Sequence, residues 1–267
     1  MVGLAYGQAE RLTYWWLDGY LGFAETQQPV ARQAVAQWAG WHRRAELPVL
    51  AGLLERAADE MLDDTSPQHV CRWIDALQQR GQAAVEQALP AAAALLRGID
   101  EPQLARLASR QAEIASEWRS EFVDAPPPTR QRASLDRAID RVETVYGRLD
   151  AAQRERLARG LAASPFDPGR WVGERERRQR DVLETLRALR AEGAGDAAAA
   201  ERLRGVWQRV LRSPDPAYRD YAARLQAYQC ELAAEMHNST SAAQRQAART
   251  RLLGWRSDLL RHAPDPT

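Results

Sequence analysis

Apolar residues recur every three or four positions through almost the whole chain, and this spacing limits what the chain can fold into. The clearest stripe places aromatic and aliphatic side chains on one helical face, at Tyr218, Tyr221, Leu225, Tyr228, Leu232 and Met236. No segment alternates with a period of two, and β-branched residues are too sparse for a sheet. The sequence therefore predicts an all-α protein, an array of about eight to ten antiparallel helices arranged as helical hairpins.

Prolines interrupt these stripes and suggest how the chain is divided. Pro126, Pro127 and Pro128 remove three consecutive amide donors and restrict the residues before them. We expect an N-terminal helical lobe over residues 1–125 and a C-terminal helical lobe over 129–267, with packing as a single domain as the alternative. Pro48 lies inside an otherwise helical run and predicts a kink after residues 46–47.

Helix starts carry a recurring signal in which a polar residue is followed three positions later by glutamine. The pairs are Thr65–Gln68, Asp100–Gln103, Asp150–Gln153 and Ser241–Gln244, with a degenerate Ala24–Gln27. Each pair predicts a capping box, in which the two side chains satisfy the first backbone amides of a helix. The boxes indicate either reuse of a good cap or repeated helical hairpins. At the other end of a helix, His237 and Asn238 predict a helix end closed by a left-handed asparagine.

Arginine supplies all 37 basic residues, and 36 acidic residues leave a formal charge of +1. The absence of lysine excludes Schiff-base chemistry and lysine-dependent phosphate loops. The near-neutral balance argues against nucleic acid as a partner. The apolar stretches, such as residues 49–54, are far shorter than the roughly 20 residues that span a bilayer. We therefore expect a soluble domain that does not insert into a membrane.

The chain has two cysteines, Cys71 and Cys230, which form neither a CxxC pair nor a metal-ligand cluster. An oxidising compartment would permit one long-range disulfide between them, and a reducing one would leave two buried thiols. The residues alone leave both readings open.

Several segments together resemble a family of uncharacterised bacterial envelope lipoproteins over nearly the whole chain. They are residues 14–18, 38–48, 164–167, 174–179, 213–218 and 237–240, which hold rare aromatic and proline positions in order. The resemblance implies a periplasmic helical domain that is lipid-anchored to a bacterial membrane, the outer membrane by expectation. Residues 1–4 carry no signal-peptide features, so we expect that the signal peptide has been removed and that Met1 stands near the lost anchor.

A second, weaker likeness involves Leu149-Asp150-Ala151-Ala152-Gln153. This segment is similar to the Leu-Thr-x-x-Gln motif that opens helices in periplasmic stress chaperones. The likeness implies a chaperone-like role, although the same residues also read as a plain capping box.

Two aromatic clusters are candidate binding surfaces. The first comprises Trp15, Trp16 and Tyr20, whose amphipathic rings suit a partner groove or membrane interface, or core packing of the first helix. The second comprises Trp41, His42, Arg43, Arg44 and Glu46. On a helix His42 and Glu46 face the same way and could share a metal ion or help bind an anion. The structural alternative buries the tryptophans, with Glu46 capping His42.

A third candidate lies in the arginine-rich run at residues 174–181, where Arg177 and Arg178 stand between acidic residues. Runs that mix acidic and basic residues are typical of a solvent-exposed helix face with several weak ion pairs. The functional alternative is a clamp for an anion or a peptide carboxylate.

No arrangement of residues indicates catalysis. HExxH and GxSxG are absent, and the four histidines are scattered along the chain. The sequence therefore predicts no catalytic residues, no metal site and no cofactor. We expect a non-catalytic binding or chaperone-like protein whose partners are envelope proteins or peptides. The alternatives are an assembly accessory that binds one folded partner, and a metal- or anion-binding sensor or enzyme.

Overall fold

The computed structural model describes residues 7–263, and within that range the protein is all-α, as the periodicity predicts. The structure is 84% helical, with ten continuous helices and no strand in the described part of the chain. None of the helices described is both long and apolar enough to span a bilayer. The expected anchor point near Met1 lies outside the described residues.

Eleven α-helical segments and two π turns make up these ten helices. The π turns are π1 (His42–Glu46), which joins α2 to α3, and π2 (Ser120–Asp124), which extends α5. The segments are α1 (Ala9–Leu21), α2 (Gln28–Trp41), α3 (Leu47–Glu60), α4 (Pro67–Leu96), α5 (Glu101–Arg119), α6 (Pro127–Tyr146), α7 (Ala151–Ala162), α8 (Pro168–Glu192), α9 (Asp196–Leu211), α10 (Pro216–Asn238) and α11 (Ala242–Leu260).

Both π turns immediately precede prolines. Pro48 has no amide hydrogen, and its ring would crowd the carbonyl four residues earlier in a regular α-helix. The wider π1 turn, in which the Leu47 amide donates to the His42 carbonyl, carries the helix past this point. Likewise the Ala125 amide donates to the Ser120 carbonyl, 3.1 Å away, just before Pro126. The local distortion expected near Pro48 is therefore a π turn within a continuing helix.

Several helices of the first half of the chain pack against helices of the second half. Helix α3 lies along α11, α4 contacts α9 and α10, and α5 packs on α8. The larger core cluster joins both halves and comprises Ala93, Ile99, Leu104, Leu107, Leu186, Leu189 and Ala199. A smaller cluster holds Leu149, Leu157 and Met236. The lobe boundary near residues 126–128 stays a prediction, and the contacts between the two halves also suit the alternative of a single domain.

Three of the capping boxes form as expected, at Asp100, Asp150 and Ser241. The box expected at Thr65–Gln68 is wrong, because Ser66 caps α4 and accepts a hydrogen bond from the His69 amide at 3.2 Å. Pro67 accounts for the difference, since it holds the preceding serine in the extended conformation that a helix cap requires.

The glutamines of these boxes meet in pairs. Gln103 donates to the Gln27 side-chain oxygen at 2.7 Å, and its amide also reaches the Gly22 carbonyl at 3.2 Å. Gln27 in turn reaches the Gly98 carbonyl at 3.3 Å. Gln153 and Gln244 form an equivalent pair at the other end of the sequence. Two helix starts are therefore locked together in each half, a pattern that favours the repeated-hairpin reading of the sequence.

The end of α10 differs from the sequence expectation. Ser239 closes the helix in a right-handed conformation, and no residue other than glycine has a positive φ in the described part of the chain. His237 is buried. Its Nδ1 lies 2.8 Å from the Tyr146 hydroxyl, and its Nε2 lies 2.7 Å from the Asp63 carbonyl. Because a carbonyl only accepts, Nε2 carries the hydrogen and Tyr146 donates to Nδ1.

A disulfide joins Cys71 of α4 to Cys230 of α10. The two residues are 159 apart in sequence, and their Cα atoms are 5.6 Å apart, within the range that disulfides bridge. Cys230 is fully buried. The bridge thus ties the first half of the chain covalently to the second.

Candidate functional site

Helix α1 presents three large apolar side chains to solvent. Leu12, Trp15 and Trp16 are 51%, 72% and 55% exposed, and their spacing places them on one face. We call these three residues the α1 surface. Trp16 rests on Tyr20, with ring centroids 4.7 Å apart, and Tyr20 packs against the larger core cluster. Of the aromatic residues expected here, Trp15 and Trp16 form the surface and Tyr20 supports it.

The C-terminal end of α1 is held firmly by local contacts. Gly22 ends the helix in the left-handed conformation (φ 58°), which favours glycine. The next amide, that of Phe23, donates to Asp18 Oδ1 at 2.8 Å. Tyr14 stacks on Phe23, and the guanidinium of Arg32 lies 4.7 Å from the Tyr14 ring. These contacts therefore hold the helix that carries the α1 surface in place.

The aromatic residues around π1 pack between helices. Trp38 donates from Nε1 to the Ala84 carbonyl of α4 at 2.9 Å and stacks on His42 at 5.0 Å. The Trp41 ring lies 6.3 Å from both side chains. Partial burial lowers the pKa of His42, and the nearby Glu46 carboxylate offsets only part of this effect. The imidazole is therefore favoured in its neutral form.

The charged residues of π1 point to different partners. Glu46 is buried, with Oε1 3.7 Å from Arg80 Nη1 and Oε2 lacking a hydrogen-bond partner among the described residues. Arg43 instead forms an ion pair with Glu10 of α1, whereas Arg44 is exposed. Within residues 7–263, no group of three or more histidine, cysteine or acidic side chains is placed to hold a metal ion.

The arginine-rich run on α8 surrounds a buried acid. Glu174 accepts two hydrogen bonds from Arg177 at 2.9 Å each, one from Arg178 at 3.0 Å and one from Ser213 at 3.1 Å. Burial alone would raise the pKa of Glu174, but these hydrogen bonds and the two positive charges hold it below its ordinary value. Arg177 and Arg178 thus already bind a carboxylate within the chain.

Arg175 belongs to the arginine-rich run at residues 174–181, but its contacts with aromatic rings were not predicted from the sequence. Its guanidinium lies 3.7 Å from the Trp118 ring centroid and 4.5 Å from that of Trp171. Burial lowers the pKa of Arg175, helped by the charge of Arg178, and its Nε has no hydrogen-bond partner among the described residues. The four-residue spacing of Trp171 and Arg175 could have indicated one contact. Trp118 comes from α5 and gives no local signal.

Comparison with known proteins places the chain in a family. No curated protein and no solved structure matches it. The model of a family of unknown function, DUF6279, matches residues 19–209, more than half of the chain, from the end of α1 into α9. The expected relation to an uncharacterised family is thereby confirmed. The chain therefore belongs to the family of unknown function DUF6279.

Proposed function

We propose that this protein is a non-catalytic, chaperone-like binding domain of the bacterial envelope that takes up apolar segments of other proteins on the α1 surface. The observation that carries the proposal is the exposure of Leu12, Trp15 and Trp16 together on one helix face. Apolar patches of this kind, rimmed by polar residues, are typical of protein interaction sites. Tryptophan in particular supplies much of the binding energy at such sites.

The support beneath the surface favours binding. Side chains held in place before a partner arrives lose less conformational entropy when the complex forms. Trp16 is fixed against Tyr20, and the Arg43–Glu10 ion pair secures the first turn of α1 to π1. Trp16 and the backbone of α1 are thus held in place before a partner binds. Arg11, exposed beside Leu12, adds a positively charged edge that suits segments carrying acidic residues.

Two observations support an envelope location. The resemblance to envelope lipoproteins implies a periplasmic domain anchored by lipid. In addition, the Cys71–Cys230 disulfide suits the oxidising periplasm, since such bridges are rare in reducing compartments. Fractionation of cells that carry the complete gene, with metabolic labelling by a fatty acid, tests this part of the proposal. Recovery of unlabelled protein in the cytosol contradicts it.

A light-scattering assay tests the binding role. A client that aggregates on heating, without reductant, is mixed with the purified protein, and we expect substoichiometric amounts to suppress the scattering. Leu12→Ser should weaken this suppression severalfold. Leu77→Ser is the matched control, because Leu77 is 55% exposed on α4 and lies outside the α1 surface. Absence of suppression at a tenfold excess, or equal loss in both variants, contradicts the proposal.

The small extent of the α1 surface also fits a second candidate function, an assembly accessory that binds one folded envelope partner. A photo-crosslinking amino acid at Trp15 separates the two candidates in intact cells, because this side chain is the most exposed of the three. Many crosslinked products favour the chaperone-like role. One dominant product favours the accessory.

A further inference from the structure

A groove lined by several arginines lies between α8 and the start of α10, on helices other than the one that carries the α1 surface. Its volume is about 410 Å³, the size range of small-molecule sites. Arg170, Arg177 and Arg180 line it, together with the Tyr218 ring and two acids, Glu174 and Asp215.

Both acids of the groove are already engaged. Glu174 is held by Arg177 and Arg178, and Asp215 accepts a hydrogen bond from the Ala217 amide at 2.8 Å as the cap of α10. Their carboxylates therefore have little capacity left to bind further cations. The capped end of α10 adds the positive pole of its helix dipole to the same groove.

Two arginines remain without an acidic partner. Arg170 pairs with Asp167 at 3.3 Å, but neither Arg175 nor Arg180 forms an ion pair with any described residue. Arg180 is exposed at the groove. Arg175 is held between two tryptophan rings, which fix its position and partly strip it of water. Arg180 thus adds a positive charge without an acidic partner to the groove lining, and Arg175 adds a second one behind that lining.

Tyr218 adds a hydroxyl group to this arrangement. Its ring lies 5.6 Å from that of Tyr221, and its hydroxyl has no hydrogen-bond partner among the described residues. Burial raises the pKa of Tyr218, while the charges of Arg178 and Arg175 act in the opposite direction. The hydroxyl thus stays protonated at neutral pH and can donate a hydrogen bond beside several guanidinium groups.

We propose that this groove binds a small oxyanion, a carboxylate or phosphate group, through the guanidinium of Arg180 and the hydroxyl of Tyr218. Guanidinium groups pair with both kinds of oxyanion through parallel hydrogen bonds. Arg175 and Arg178 contribute positive potential behind Tyr218. The site lies on different helices from the α1 surface. A negative result for one proposal therefore leaves the other unaffected.

Titration with inorganic phosphate and with citrate, at low and constant ionic strength set by chloride, tests the proposal. The arginine Nε–Hε signals in NMR spectra report binding at individual side chains. We expect saturable shifts at Arg180 with at least one probe. Response to phosphate alone assigns a phosphate ligand, and response to citrate alone assigns a carboxylate ligand.

Two variants and a control complete the test. Arg180→Gln should weaken binding about tenfold or more, and Tyr218→Phe should weaken it several-fold, because each removes a hydrogen bond to a charged group. Arg187→Gln is the control, since Arg187 is exposed on the same helix but outside the groove. Absence of saturation with both probes overturns the proposal. So does equal weakening by Arg187→Gln, which would indicate general charge attraction only.

Discussion

The side-chain amides of Gln153 and Gln244 hydrogen-bond to each other in both directions, at 2.8 and 2.9 Å. Each amide also donates to a backbone carbonyl of the opposite helix start, that of Ser239 or Arg148. Each side-chain oxygen additionally accepts from the amide of its own cap residue. The glutamine that completes one capping box therefore also binds the segment that precedes the other helix.

This pairing predicts that Gln153→Ala destabilises the protein by about 1–3 kcal/mol, because it leaves buried hydrogen-bonding groups without partners. Gln244→Ala should cost a similar amount, and the double variant should cost less than the sum of the two. Urea unfolding measures all three. Gln246→Ala is the control, since this exposed side chain lies on the same helix; additive effects of the paired residues would contradict the coupling.

The Tyr146 hydroxyl is expected to matter for stability. Tyr146→Phe leaves the buried Nδ1 of His237 without its donor, and we expect a loss of about 1–2 kcal/mol in the free energy of unfolding. Tyr14→Phe is a suitable comparison, since the Tyr14 hydroxyl forms no hydrogen bond with the described residues. Chemical denaturation should show no significant change for that variant. Equal stability of both variants would exclude a role for the hydroxyl.

Glu174 predicts a dependence of stability on acid. Its folded pKa lies below the ordinary value of 4.5, so the unfolded chain takes up a proton first as the pH falls. The stabilisation is complete above pH 4.5 and is lost progressively as the pH falls through the folded pKa. Glu174→Gln should cost about 1–3 kcal/mol at pH 7 and a smaller amount under acid conditions.

Thermal unfolding between pH 7 and pH 3 measures this difference. Glu184→Gln serves as the control, because Glu184 is exposed on the same helix and forms no ion pair with the described residues. A wild-type curve parallel to that of Glu174→Gln across the whole range would show that the carboxylate contributes nothing to the acid sensitivity.

The disulfide is expected to contribute about 2–4 kcal/mol, because it constrains a long loop in the unfolded chain. The Cys71→Ala/Cys230→Ala double variant should unfold at a lower urea concentration than the oxidised protein. Reductant should shift the wild type toward the variant and leave the variant unchanged. A thiol titration that finds two reactive cysteines in the denatured, unreduced protein would show that the bridge does not form.

The sequence predicted the features that depend on neighbouring residues. Helical periodicity follows from which side chains share a face, and the boxes at Asp100, Asp150 and Ser241 follow from a three-residue spacing. For Glu174, a prediction from neighbouring residues alone was wrong. Its mixed-sign surroundings are typical of a solvated face, yet Ser213, from a distant turn, helps bury it.

The remaining features depend on contacts between distant segments. Nothing in the local spacing specifies that Gln153 faces Gln244 or that Trp118 covers Arg175. Such pairings are decided by how whole helices pack, which the pattern of a single sequence leaves open. The exposure of Trp15 and Trp16 likewise depends on which face of α1 meets the core.

The packing of α3 along α11 has a consequence for how the molecule is made. Asp59 and Arg249 pair at 3.4 Å although 190 residues separate them in sequence. Helix α11 is the main packing partner of α3, whose buried residues are Leu47, Ala51, Leu53 and Ala58, so this apolar face lacks most of its cover until α11 has been synthesised. We therefore expect α3 to reach its native packing only after residues 242–260 have left the ribosome, and chains that end before residue 242 to expose an apolar helix face that favours aggregation.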